Sequence, residues 1–203
     1  MVLLLGRFIP IIGPVAIAGL LPAIRLTLCC LLMFLLFYPL LLLGLAKGLA
    51  LNGGQGETIA ANGRRVGYYH VGQNFSADRY FWSRPSATNY NPTGSAGSNK
   101  GPTNAGYLAQ VQARLDTFLV HNPGVSAAQV PAELLTASGS GIDPHLSPAG
   151  AWVQVARVAR SRGLAAERLR QLVTAHTEGP LWGLFGGSVV NVLALNVALD
   201  ELQ

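Results

Sequence analysis

The sequence predicts an α+β protein: one N-terminal transmembrane helix followed by one mixed α/β domain. Three observations carry that prediction. Leu26–Ala46 reads LTLCCLLMFLLFYPLLLLGLA, 21 residues without a charge between Arg25 and Lys47. The chain is 50% hydrophobic and only 11% charged, and most of that excess lies before residue 52. The remaining ~150 residues alternate strand-like and helix-like stretches between turn signals, enough for one compact domain.

At ~1.5 Å per residue, a 21-residue helix spans about 30 Å, the hydrocarbon thickness of a bilayer. A spanning segment must satisfy its own backbone hydrogen bonds, so it is helical. Pro39 and Gly44 are tolerated in such a helix. A cleaved secretory signal would have a shorter apolar core and a small-x-small site after it. Here the run is longer, and Lys47 interrupts the best cleavage candidate. Residues 1–25 form an apolar extension carrying Arg7 and Arg25, with Pro10, Pro14 and Pro22 expected to interrupt a regular helix. This extension is either a second membrane segment or the product of an early start site. Charges near the span do not decide sidedness, because Arg7 and Arg25 precede it while Lys47, Arg64 and Arg65 follow it.

Residues 47–203 constitute the domain. From Gly48 onward there are 11 Lys/Arg and 9 Asp/Glu. The pI of about 9.6 is therefore no argument for nucleic acid as a partner. Both cysteines, Cys29 and Cys30, lie inside the span, so the domain has neither a disulfide framework nor a thiol nucleophile. Asn62-Gly63 is a hairpin turn signal between Thr58-Ile59 and a strand expected over Arg65–Phe75. Arg79–Trp82 (RYFW) is an aromatic group suited to core packing. Asn89–Asn104, rich in Gly, Ser, Asn and Pro, is a loop. It lacks the Gly-Lys-Ser/Thr ending of a phosphate-cradling loop.

Leu108, Val111, Leu115, Phe118 and Leu119 have helical spacing, which Asn122-Pro123 ends. Ser126 and Gln129 have capping-box spacing. Ser147, followed by Pro148, begins a helix that Gly163 closes, with Arg157, Arg160 and Arg162 expected on its solvated face. Ala165–His176 is a further amphipathic helix. Val189–Leu202 is an apolar helix, or a strand running into a helix.

Chemistry could reside in Thr136–Pro148 (TASGSGIDPHLSP) and His176–Pro180 (HTEGP). Ser138 or Ser140 with Asp143, His145, His176 and Glu178 would supply the residue types of a serine hydrolase, the alternative function class. The Ser-Gly-Ser-Gly run is not the nucleophile elbow, however. Asp143 and His145, two apart, are not brought together by a strand. The stronger reading is structural: Asp143-Pro144 starts a turn, Ser147 caps a helix, and Gly139 and Gly141 permit a tight backbone path. His70, His145 and His176 have no spacing that pairs them around a metal.

The chain from about Pro22 to Asp200 resembles the C-subunit family (KdpC) of the Kdp high-affinity potassium-transporting ATPase of bacteria. The resemblance rests on stretches matched in order. They are Gly72-Gln73-Asn74-Phe75, then Tyr80-Phe81-Trp82-Ser83-Arg84-Pro85-Ser86-Ala87, and Gly97-Ser98-Asn99 with Gly101–Asn104. TASGSGIDPHLSP follows, contributing Ser138, Gly139, Gly141, Asp143, Pro144 and His145. After it come Gln154 with Ala156–Ala159, then HTEGP with His176 and Glu178, and last Asn191 and Asn196 within the final apolar run.

The resemblance implies a single-pass subunit of the bacterial cytoplasmic (inner) membrane, its C-terminal domain outside the cytoplasm. It implies partners in the lipid bilayer: a channel-like A subunit (KdpA), a P-type ATPase B subunit (KdpB) and a small F subunit (KdpF). It implies no catalysis and no cofactor of the chain's own. The chain would act in complex assembly and as a catalytic chaperone, raising the B subunit's ATP affinity in a transient complex. Gln73 would be the nucleotide or assembly contact.

Overall fold

The computed structural model describes residues 14–202, so the first part of the expected apolar extension lies outside the described residues. The chain divides into two units, Met1–Gly56 and Glu57–Gln203.

The first unit is helical from Pro14 to Leu49: α1 (Pro14–Leu31), a π-helical segment (Leu32–Phe37) and α2 (Tyr38–Leu49). Gly19–Leu49 is a 31-residue apolar helix, long enough to cross a membrane, whose large apolar side chains are exposed among the described residues. It overruns the uncharged stretch at both ends, taking in Arg25 and Lys47. Long cationic side chains near the ends of a span can reach the interface. Pro22 lies inside α1 rather than ending it. The π segment has a local cause in Pro39. A proline ring meets the carbonyl four residues back in a regular helix. Here the preceding turn is widened, with the Tyr38 N–H reaching Met33 O, five residues back. The Thr27 hydroxyl, which lipid cannot satisfy, donates to Ala23 O at 2.9 Å.

The second unit begins with an antiparallel hairpin, β1 (Thr58–Ala61) and β2 (Arg64–Tyr68). Asn62 and Gly63 both take positive φ (51° and 72°), the geometry of the tightest hairpin turns. The strand stops at Tyr68 and does not continue to Phe75 as the sequence suggested. Gly72 is drawn away from any strand neighbour, its N–H donating to Ile142 O at 2.7 Å.

The helices follow local signals. α3 (Ala105–His121) is capped by Asn104, whose side chain accepts from the Tyr107 N–H. Ser126 and Gln129 form the expected capping box. Ser147 caps α4 (Pro148–Trp152), and Gly163, at φ 67°, closes α5 (Val155–Arg162). The sequence read α4 and α5 as one helix. Gln154 separates them, because its side-chain Nε2 takes Gly150 O at 2.9 Å while its own N–H turns to Ala151 O. Next come α6 (Ala166–Ala175) and β4 (Thr177–Glu178), then β5 (Val189–Asn191) leading into α7 (Val192–Glu201). With β3 (His145–Leu146), these strands form a small antiparallel sheet ordered β3-β5-β4. Asn191 stands opposite His145, and Val189 opposite Glu178.

Phe81, Leu146, Val158, Leu169, Val173, Val190, Leu195 and Leu199 are buried to 1% exposure or less and form the centre of the core. Their burial is the main favourable term in the domain's stability, at ~1.5–3 kcal/mol for each large side chain.

Candidate functional site

The family-like stretches converge. Tyr69–Ser86 runs without strand or helix between the Thr136–Pro148 loop, the small sheet and α7, and its backbone polar groups need partners. Side chains supply them. Asn196 on α7 pairs with both backbone groups of Phe81, Oδ1 accepting from Phe81 N and Nδ2 donating to Phe81 O, each at 2.9 Å. Gln154 does the same for Trp82, at 2.7 Å from the N–H and 3.3 Å to the carbonyl. Asn191 caps α7 through Ala194 N and donates to Tyr69 O at 2.7 Å. The carboxamides thus stand in for neighbouring strands. Phe81 is fully buried beneath them, and Phe75 packs against the core beside Tyr80.

Arg157 corrects the sequence reading of a solvated arginine face. It is 1% exposed and lies 4.4 Å from the Trp82 ring centroid. Its guanidinium donates to Asp78 O, Tyr80 O, Asn122 Oδ1 and Gln154 Oε1. Burial pushes its pKa down to about 10, the nearby Asp78 charge opposing that shift, so it remains a cation at neutral pH. Arg162 is also sequestered, donating to Arg79 O and pairing with Asp200 at 2.6 Å.

The loop residues form a second network. Asp143 accepts from Arg84 Nη1 at 2.8 Å and from its near neighbour His145 N at 3.0 Å. Its Oδ1 also lies 3.8 Å from the His145 ring, an approach made by the turn at Pro144 rather than by a strand. Tyr69 donates its hydroxyl to Glu178 and sets its ring edge-on to His145. Burial, then the Glu178 carboxylate, pushes the Tyr69 phenol up to about 12. Ser86 accepts from Thr88 N and Tyr90 N and donates to Gly141 O, tying the Arg84-Pro85-Ser86 segment to the Ser-Gly-Ser-Gly loop. The Asn89–Asn104 loop sits against that same loop. Ser95 donates to Ser140 O, and a Cβ on Gly97 would stand 3.0 Å from Gly139 O. Asn99 occupies positive φ (52°) within it.

Gln73 is committed locally, Nε2 donating to Val66 O at 3.0 Å. Its amide fills the space beside Gly67 where any larger residue would carry a side chain. Ser138 is buried, and its hydroxyl accepts from Gly141 N. Ser140 Oγ accepts from Ile142 N. Neither serine makes a hydrogen bond to a histidine, and His176 lies at the end of α6. Of the two loop glycines, only Gly141 has positive φ (71°), with Thr88 and Ala96 closing on it. Gly139 has open space around it. Among the described residues there is no His, Cys, Asp and Glu group arranged to hold a metal ion.

The geometry therefore spends its polar side chains on fixing backbone. Asn122, Gln154 and Arg157 carry as much of this as the residues singled out by type. No local signal in the sequence marks them, because their partners lie far along the chain: Arg157 bonds Asn122, Asp78 O and Tyr80 O, and Gln154 bonds the Trp82 backbone. An arrangement of this kind holds the segment's backbone in place.

Over residues 20–201 the sequence matches the family described as KdpC: K+-transporting ATPase, c chain. Proteins named potassium-transporting ATPase KdpC subunit are similar along most of their length. The one from Bacteroides fragilis is 50% identical over 186 residues, covering 91% of this chain and 97% of that protein. The one from Flavobacterium johnsoniae is 49% identical over 180 residues, covering 89% and 96%. The one from Variovorax paradoxus is 48% identical over 168 residues, covering 81% and 86%. The matched region takes in the apolar helix, the carboxamide-stapled segment and α7, and the chain belongs to the KdpC family of K+-transporting ATPase c chains.

Proposed function

We propose that the chain is a non-catalytic subunit of an ATP-driven, high-affinity potassium uptake system, with catalysis in a separate P-type ATPase chain. Gly19–Leu49 holds it in the bacterial cytoplasmic membrane, and Glu57–Gln203 lies outside the cytoplasm. Its partners are a channel-like A subunit, the ATPase B subunit and a small F subunit. The observation that carries this reading is the family match over residues 20–201, which includes anchor and domain alike. The commitment of Ser138, Ser140 and Asp143 to backbone turns favours a scaffold over the hydrolase alternative.

The chain serves assembly and raises the B subunit's ATP affinity. A domain outside the cytoplasm does not touch cytoplasmic ATP, so this effect is a coupling free energy carried through the membrane-embedded contacts. Gln73, already bonded to Val66 O, contributes by fixing the β1–β2 hairpin as an assembly surface and has no need to hold nucleotide itself.

The test purifies the complex through a tagged B subunit, from membranes with and without this chain, and measures ATP hydrolysis against ATP concentration. Without the chain, the yield of intact complex should fall and the KM for ATP should rise. An intact, potassium-stimulated ATPase with unchanged KM would overturn the proposal. Protease added to intact spheroplasts should remove the domain. Digestion confined to inverted vesicles would reverse the sidedness.

A further inference from the structure

Between β4 and β5 the chain makes a tight hairpin whose tip is almost wholly apolar and almost wholly exposed. Leu181 and Phe185 pair through both backbone hydrogen bonds, at 2.9 and 3.0 Å. Gly183 N donates to Pro180 O and Leu184 N to Leu181 O, so the turn is closed by four backbone hydrogen bonds. The exposures are 62% for Leu181, 82% for Trp182, 80% for Leu184 and 61% for Phe185. Trp182 sits at φ 53°, a left-handed conformation that a bulky residue adopts only under strain. Such strain persists where surrounding structure enforces it, and it gathers at functional positions. Here it holds an indole out in solvent on a preformed turn.

We propose that Leu181–Phe185 is a membrane-interface wedge that inserts into the headgroup and upper acyl region of the bilayer spanned by Gly19–Leu49. Three features select lipid as the occupant. There is no charged residue between Glu178 and Asp200, and the Glu178 carboxylate is already taken by the Tyr69 hydroxyl. The tip's flanks are Gly179, Pro180, Gly186, Gly187 and Ser188, whereas a protein-docking site is normally registered by a polar rim. Trp prefers the membrane–water boundary, with its ring in the apolar region and its N–H at the wet edge. The same chain carries the candidate span Gly19–Leu49, so a bilayer is a surface this domain meets by attachment. The wedge would transfer four large apolar side chains out of water without any contribution from anionic headgroups. The inference needs only that Gly19–Leu49 spans a bilayer, and its failure would leave the subunit reading untouched.

The test uses the full chain reconstituted into phosphatidylcholine vesicles, with and without brominated acyl chains, which quench tryptophan at the depth of the bromine. Trp182→Phe, at an exposed position, isolates the Trp182 signal from those of Trp82 and Trp152, and near-ultraviolet circular dichroism checks that the domain stays folded. The wild-type chain should lose more emission on bromination than the variant, and its Trp182 component should be blue-shifted and shielded from aqueous iodide. Equal quenching of wild type and variant would overturn the proposal. So would Trp182 quenching that appears only with anionic lipid, or iodide shielding that appears only when the partner subunits are present, which would make the tip a protein-docking element.

Discussion

Replacing Asn196 by leucine tests whether the extended Phe81 segment depends on a side chain acting as its strand neighbour. Asn196 is 2% exposed, and both its polar atoms are bonded to Phe81 backbone at 2.9 Å. Leucine is close in size, so the change removes the pairing with little loss of packing. It leaves a backbone N–H and a C=O buried without partners, at about 1–3 kcal/mol each, or roughly 2–6 kcal/mol in total. A domain of about 150 residues unfolds with an entropy near 0.3 kcal/mol per kelvin, so Tm should fall by roughly 7–20 °C. The assay is thermal unfolding of the full chain in detergent, followed by near-ultraviolet circular dichroism, which reports aromatic packing rather than the helix content that the anchor dominates. Asn104→Ala provides the scale. It removes an exposed helix cap from α3 and should cost only about 1 kcal/mol, or about 3 °C. If Asn196→Leu melts within about 2 °C of wild type, the carboxamide pairing is not what holds the segment.

Further outcomes follow from the loop and from Tyr69. Gly141→Val should leave little folded protein, because φ is 71° and a Cβ would stand 2.5 Å from Thr88 Oγ1 and 2.8 Å from Ala96 O, while Gly139→Ala should melt close to wild type. Ser138→Ala, which strips Gly141 N of its acceptor, should lower stability by about 1–2 kcal/mol yet leave potassium-limited growth intact; loss of growth with normal assembly would restore the nucleophile reading. Tyr69 has its folded pKa raised from 10.0 to about 12, so its contribution is full below pH 10 and is lost as pH rises through about 12. The decline in Tm between those values should be steeper in wild type than in Tyr69→Phe, and equal slopes would dissociate the Tyr69–Glu178 contact from alkaline unfolding.

What the sequence determined by itself is what short stretches decide physically. A run of 21 uncharged residues is a span because length and apolarity suffice in lipid. Asn62-Gly63 makes its hairpin, and Ser126, Ser147 and Gly163 begin or end helices, because each acts on backbone groups within four residues. The family-like stretches were legible as an ordered set, while the purpose of their members was not. Asn196 and Phe81 are 115 positions apart, and Arg157 finds its carbonyls 77 to 79 positions away. An arginine beside Arg160 and Arg162 looks solvated until the Asp78–Trp82 segment arrives with unpaired carbonyls and a ring face. Gly139 and Gly141 look alike in sequence, and only the approach of Thr88 and Ala96 makes one of them obligatory. Tertiary structure decided these points because an unpaired buried polar group must be satisfied by whatever packs against it, and that partner is set by the fold rather than by chain distance.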